Sequence, residues 1–387
     1  MQHSHCRLLL ILVILLISNF VYSQAADIDV KADTLVTDSE KPRIQINGAF
    51  RVHYKDEFYN KTRKREGGEF GFDLFGLVVN ASYKKFKVFA DMRFMPPSSG
   101  GTMPKEGWIG YDFQNGDDIQ VGLVQSPFGN LDYNSYSWFL GIGYALGFEG
   151  KYSMGIKYHH KGKTWDWQAA FMKNAMETFT NNPALRQNQW SASVVGDNKE
   201  INQLSGQLVY KVKTDNFSHK IGVSGQVGQL YNFVEDKMGS RNAFALHYHM
   251  DYKNLGIKAE VYKYEFNPKG INSQYVDMAS FGYTYQVVSK ADVYALSAKY
   301  SIPFKGKSLN EIAFYSEYGY LGKKYDLNAS HMITNGALIR ILDGIYTYVE
   351  YVAGYNHPYV GSNQASLYND YDNKWHARLQ CNIGYYF

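Results

Sequence analysis

The sequence predicts an all-β chain, a transmembrane antiparallel β-barrel of 16 strands. Three observations predict it. Apolar and polar residues alternate with period two from residue 44 to the C-terminus, as strands with two unlike faces require. Aromatic residues make up 16% of the 387, with 34 Tyr among them, while Pro numbers only 9. Aromatic side chains favour strands, and scarce Pro leaves the ladders unbroken. The chain also opens on an export signal and closes on an aromatic residue.

Residues 1–23 read as a secretory signal peptide. Arg7 supplies the positive n-region, Leu8 to Ile17 the apolar h-region, and the segment ends at Val21, Tyr22 and Ser23. Ten strongly apolar residues are short of the ~18 that a spanning helix needs, and no later stretch comes closer. Cleavage removes Cys6 and leaves Cys381 alone, so no internal disulfide is expected. Residues 24–43, charged and poor in aromatics, read as an N-terminal lead-in, and 44–387 as one outer-membrane β-barrel. The formal charge of +4 is too small to suggest a nucleic-acid partner.

The last strand shows the pattern best. Ala377, Leu379, Cys381, Ile383, Tyr385 and Phe387 share one face, and His376, Arg378, Gln380 and Asn382 the other. Seventeen segments qualify, centred near 49, 77, 90, 109, 121, 157, 168, 207, 226, 246, 261, 281, 297, 315, 336, 350 and 381. A closed bacterial barrel of one chain has an even number of strands, so one is surplus, in 267–309 or near 105–125. Sixteen strands leave about 23 residues for each strand and its connection, which suits a barrel with short turns at one end and long loops at the other. A soluble sandwich would not place Tyr and Phe at strand ends, where a membrane barrel has its aromatic girdles. Short connections are expected at Tyr83–Lys85, Gly116–Asp117, Lys253–Leu255 and Asp343–Gly344, on the periplasmic side with the C-terminus, and long ones at 174–200 and 357–373, outside. The terminal Tyr385 and Phe387 read as the signal for the barrel-assembly machinery, since an exposed edge strand can pair with an edge of that machine.

The segment Val121–Gly129 (VGLVQSPFG) resembles the strand-then-Pro-Phe-Gly motif of the phosphate-selective porin O and P family. Trp138-Phe139, Gly147, the run from Tyr152 to Lys157, Asn174 and the late strand around Tyr348–Tyr351 are similar too. The resemblance implies a trimeric, water-filled barrel whose third outer loop folds inward as a constriction, here about 126–150. That loop would present Asp132, Tyr133, Tyr136, Trp138 and Glu149. Members use Arg and Lys at the constriction to select phosphate. Residues 126–150 hold no Arg or Lys, only Asp132 and Glu149 as charges, so weak ion selectivity without a phosphate site is expected.

Period two also assigns lumen charges. The basic candidates are Arg51, Lys87, Arg93, Lys157, Lys211, Lys213, Lys258, Lys299, Arg340 and Arg378. The acidic ones are Asp91, Glu106, Asp112, Asp166, Asp251, Glu260, Glu311, Glu317 and Glu350, which is near balance. Tyr133, Tyr136, Trp138, Phe139 and Tyr144 are expected to pack the infolded loop against the wall, with a stacking surface for sugars as the other reading. No catalytic motif, metal-ligand set or cofactor motif stands in the sequence, so an enzyme is not expected. The expected function is an outer-membrane porin for passive diffusion of small hydrophilic solutes, in contact with outer-membrane lipid and assembled as a homotrimer. A substrate-specific anion (phosphate) channel is the alternative.

Overall fold

The computed structural model describes residues 41–387 except 132, 177–181, 183–185, 271, 307, 362–365 and 370–371. The leader, most of the lead-in and Asp132 therefore lie outside the described residues. Strands β1 (Arg43–Glu57), β2 (Glu69–Tyr83), β3 (Phe86–Phe94), β4 (Thr102–Asp112), β5 (Asp118–Gln125), β6 (Tyr152–Lys161) and β7 (Trp165–Asn174) come first. After a two-residue β8 (Ser193–Val194) follow β9 (Asn198–Lys213), β10 (Phe217–Asn232), β11 (Lys237–Tyr252) and β12 (Leu255–Asn267). A short hairpin, β13 (Tyr275–Ser280) and β14 (Tyr283–Val288), precedes β15 (Lys290–Pro303), β16 (Leu309–Lys323), β17 (Ser330–Ile341), β18 (Ile345–Tyr355) and β19 (Trp375–Tyr386).

All but β8, β13 and β14 form one closed barrel of 16 antiparallel strands, each beside its neighbour in the chain, with β1 paired to β19. Closure removes the sheet edge that lipid could not satisfy. The register at the seam runs from Ala49 opposite Tyr386 to Glu57 opposite Arg378. The last residue completes it: Gly48 N–H donates to the Phe387 carbonyl at 2.8 Å and Phe387 N–H to the Gly48 carbonyl at 3.0 Å. The Phe387 ring folds over Gly48, where a Cβ would sit only 2.5 Å from it.

The surplus segment is the one centred on residue 281. Phe281 and Gly282 are the left-handed turn of the β13–β14 hairpin. Its strands of six residues are too short to cross a membrane, which takes about 9–11. They pair with β8 in a three-stranded sheet separate from the barrel.

The four predicted short turns fall at one end, with the C-terminus, because strands alternate in direction around the barrel. At Asp343-Gly344 the left-handed position is taken by Leu342 (φ 52°). Gly344 serves close approach instead, since a Cβ there would lie 2.6 Å from the Tyr386 carbonyl oxygen. The outer face of β19 places Trp375 and Tyr385 at its ends and Ala377, Leu379, Cys381 and Ile383 between, an aliphatic belt inside two aromatic girdles. Ile221, Val223, Phe244, Leu246, Leu296 and Phe314 stand exposed on the same outer surface, more apolar area than a water-soluble exterior tolerates. Leu379→Arg, in this belt, is expected to cost ~2–4 kcal/mol and to lower the heat-modifiable folded band on gels. Ser301→Arg, on the passage side, should leave that band unchanged. Gln380 is a poor control although it also faces inward, because it is buried and donates to Glu350 at 2.5 Å.

Candidate functional site: the constricted lumen

Between β5 and β6, residues 126–151 enter the barrel instead of covering its mouth. Ser126 N–H donates to the Lys151 carbonyl at 2.8 Å and closes the neck of this loop. Apart from one turn of helix, α1 (Ile142–Ala145), the described part of the loop has no regular structure, so its backbone N–H groups need other acceptors in a place poor in water. Three wall glutamates supply them. Glu260 on β12 accepts from Asn130 N–H at 3.1 Å. Glu317 on β16 accepts from Tyr136 N–H, from Ser137 N–H at 2.9 Å and from the Ser137 hydroxyl at 2.7 Å. Glu350 on β18 accepts from Trp138 N–H at 2.6 Å and from the Tyr315 hydroxyl at 2.7 Å. Gln207 Nε2 donates to the Gly129 carbonyl at 2.5 Å, and Lys258 Nζ to the Tyr133 carbonyl at 2.8 Å.

The loop's own Glu149 turns inward and accepts from Ser135 N–H at 2.9 Å and from the Ser135 hydroxyl. Burial pushes its carboxyl above the ordinary carboxylate range despite those bonds. At the neck, Lys151 pairs with Glu200 of β9 at 2.8 Å, and Arg241 of β11 meets the same carboxylate at 2.6 Å. Above the loop, Phe128, Ile142, Leu146 and Phe148 join Met278, Tyr285 and Val287 of the hairpin and Tyr264 and Phe266 of the wall in one apolar core. One side of the outer mouth is thereby filled, and a cavity of about 1920 Å³ remains beside it. Its lining runs from Lys253 and Asn254 at the periplasmic turns to Ser98 and Tyr283 near the outer mouth.

Arg51, Asp91, Arg93, Lys157, Arg340 and Arg378 line this passage. Arg51 pairs with Asp73 at 2.8 Å, Arg93 with Asp91, and Arg340 with Glu311 at 2.9 Å. Lys87 faces inward but is buried against Asp112 at 2.7 Å. Glu260, Glu317 and Glu350 also face inward, yet they lie under the loop rather than on the passage. The near balance of charge expected from period two is corrected accordingly: among the described residues eleven Lys and Arg and six Asp and Glu line the cavity. Alternation tells inward from outward, but not which inward residues a folded-in loop will cover.

The loop aromatics divide. Tyr144 packs as expected, buried, donating to the Trp190 carbonyl and stacked on Phe281. Tyr133, Tyr136, Trp138 and Phe139 line the passage instead, half-buried, because Asn134, Ser135 and Ser137 take the buried positions. The sequence reading missed the inner sheet of β8, β13 and β14. Its signal was two runs of alternation, Val276/Met278 and Tyr285/Val287, at half the spanning length.

No protein-family model matches the sequence, and a search of curated proteins finds no match. Solved structures do share the fold. An anion-selective porin from Comamonas acidovorans superposes with a TM-score of 0.60 at 12% identity, covering 90% of this chain and 100% of that one. OmpF of Salmonella typhi, in a complex with daunomycin, gives 0.57 at 10% identity over 89% and 97%. OmpT of Vibrio cholerae, an outer membrane protein in its trimer form, gives 0.55 at 13% identity over 89% and 99%.

Proposed function

We propose that this barrel is an outer-membrane porin, a water-filled channel for passive diffusion of small hydrophilic solutes. The observation that carries the reading is the lumen: an infolded, wall-anchored loop narrows it, and a cavity still runs from the periplasmic turns to the outer mouth. Residues 1–23 act as the export signal, 44–387 form the membrane domain, and Tyr385 and Phe387 serve assembly. A homotrimer is the assembly we propose, as in the trimer form of the Vibrio protein. Kinship with the phosphate-selective porin O and P family rests on the motif of Val121–Gly129 and the infolded loop. Purified protein in planar bilayers should give stepwise ohmic conductance in KCl; a non-conducting barrel overturns the reading.

One observation favours a second feature, a preference for anions. Five more cations than carboxylates line the cavity among the described residues, and Glu260, Glu317 and Glu350 face the loop's donors rather than the passage. A lumen with excess charge of one sign raises the concentration of counter-ions inside it. In a KCl gradient the zero-current potential is expected to take the sign of chloride permeation. Phosphate should not block chloride current at micromolar concentration, because residues 126–150 hold no Lys or Arg and Lys151, at the neck of the loop, is buried against Glu200. A cation-selective potential would overturn this.

A further inference from the structure

The passage-facing edge of the infolded loop has a composition that diffusion of water and salt does not require. Leu131, Tyr133, Tyr136, Trp138, Phe139 and Leu140 line the cavity. Rings needed only to hold the loop would be buried, as Phe128 and Phe148 are at 2% and 3% exposure. Instead these rings keep exposed surface where solutes pass.

Wall cations lie against the same rings. The Lys258 and Lys299 ammonium groups sit 4.5 and 4.7 Å from the Tyr136 ring centre, and the Arg378 guanidinium 4.2 Å from that of Phe139. Attraction to the ring quadrupole holds such cations in place without neutralising them. Of the carboxylates near this edge, Glu317 and Glu350 are engaged by the loop's N–H groups, and Asp251, on the passage, pairs with His249 at 3.3 Å. Ring surface and positive charge therefore lie together along the loop's side of the cavity.

We infer that the constriction selects carboxylates that carry a six-membered ring. The ring lies against the Tyr136–Phe139 edge and the carboxylate faces Lys258, Lys299 or Arg378. Inorganic anions meet only the charge, and neutral sugars only the rings. This inference rests on the channel reading above. The shared chemistry comes from two sources, aromatic acids and uronic sugars.

The test uses full-length protein in planar bilayers, with benzoate, glucuronate, acetate and glucose each titrated into KCl at constant ionic strength. A ring carboxylate is expected to reduce chloride current at about ten-fold lower concentration than acetate, the ratio that one ring contact of stacking strength gives. Glucose should have no effect. Action by benzoate alone assigns an aromatic ring and by glucuronate alone a sugar ring; either supports the inference. In Trp138→Ala/Phe139→Ala the ratio of acetate to ring-carboxylate concentrations should fall toward one, whereas in Lys299→Gln acetate and ring carboxylates should both need higher concentrations. A conducting pore in which acetate and both ring carboxylates act alike overturns this inference alone. A barrel that does not conduct removes the channel reading and this inference with it.

Discussion

Glu200→Ala is expected to be strongly destabilising. Its carboxylate stands between Lys151 Nζ at 2.8 Å and the Arg241 guanidinium at 2.6 Å, and both cations are only 2% exposed. Removing one partner of a buried ion pair costs ~3–5 kcal/mol, because the other charge stays buried without compensation. Here one deletion takes the shared carboxylate from two buried cations. Lys151 retains bonds to the Ala192 carbonyl and the Ser193 hydroxyl, and Arg241 one to Gln226, but none of these acceptors carries charge. The effect also reaches the lumen, since Lys151 closes the neck of the infolded loop. The measurement is the unfolding midpoint in detergent, followed by heat-modifiability. The triple variant Lys151→Met/Glu200→Leu/Arg241→Met should recover most of the loss, because a buried charged triad can often be replaced by apolar residues at little cost. A single variant as stable as the parent would mean that the cluster holds nothing together.

The barrel was legible in the sequence because period two is a local signal, carried within each strand and repeated sixteen times. The segment centred on 246 alternates over nearly all of β11, and no tertiary contact is needed to see it. The 281 segment shows the limit of that signal. A six-residue hairpin alternates as a spanning strand does, and only length and pairing partners separate them. The lumen was legible only by halves. Alternation put Arg51, Glu317, Glu350 and Arg378 on the inner face. Which of them meet the passage depends on where an irregular loop lies, and no periodicity encodes that. The loop's composition does hold a clue in retrospect. Four aromatic residues are interspersed with Asn134, Ser135 and Ser137, short polar residues suited to meeting a wall. The wall carboxylates are explained by the same fact: a loop that brings bare N–H groups into a barrel needs acceptors.

Glu317→Ala tests that explanation, and its effect should appear in the current itself. The substitution removes the acceptor for two backbone N–H groups and one hydroxyl of Tyr136 and Ser137. Each donor left unsatisfied in a buried place costs about 1–3 kcal/mol. The wall side offers no equal replacement: Tyr315 and Gly319 are the inward neighbours on the same strand, the Tyr315 hydroxyl already serves Glu350, and the cross-strand Ser297 and Thr334 present only uncharged hydroxyls. Water in the passage does offer one. The stretch around Tyr136 should therefore leave the wall and bow into the lumen. Asn130 stays tied to Glu260 and Trp138 to Glu350, so the loop as a whole remains inside the barrel. The expected single-channel record has lower mean conductance and frequent brief closures, with the folded barrel unchanged on gels. Glu317→Gln keeps one accepting oxygen in place and should lie near the parent. A steady conductance in Glu317→Ala equal to that of the parent would show that the loop keeps its place without this carboxylate.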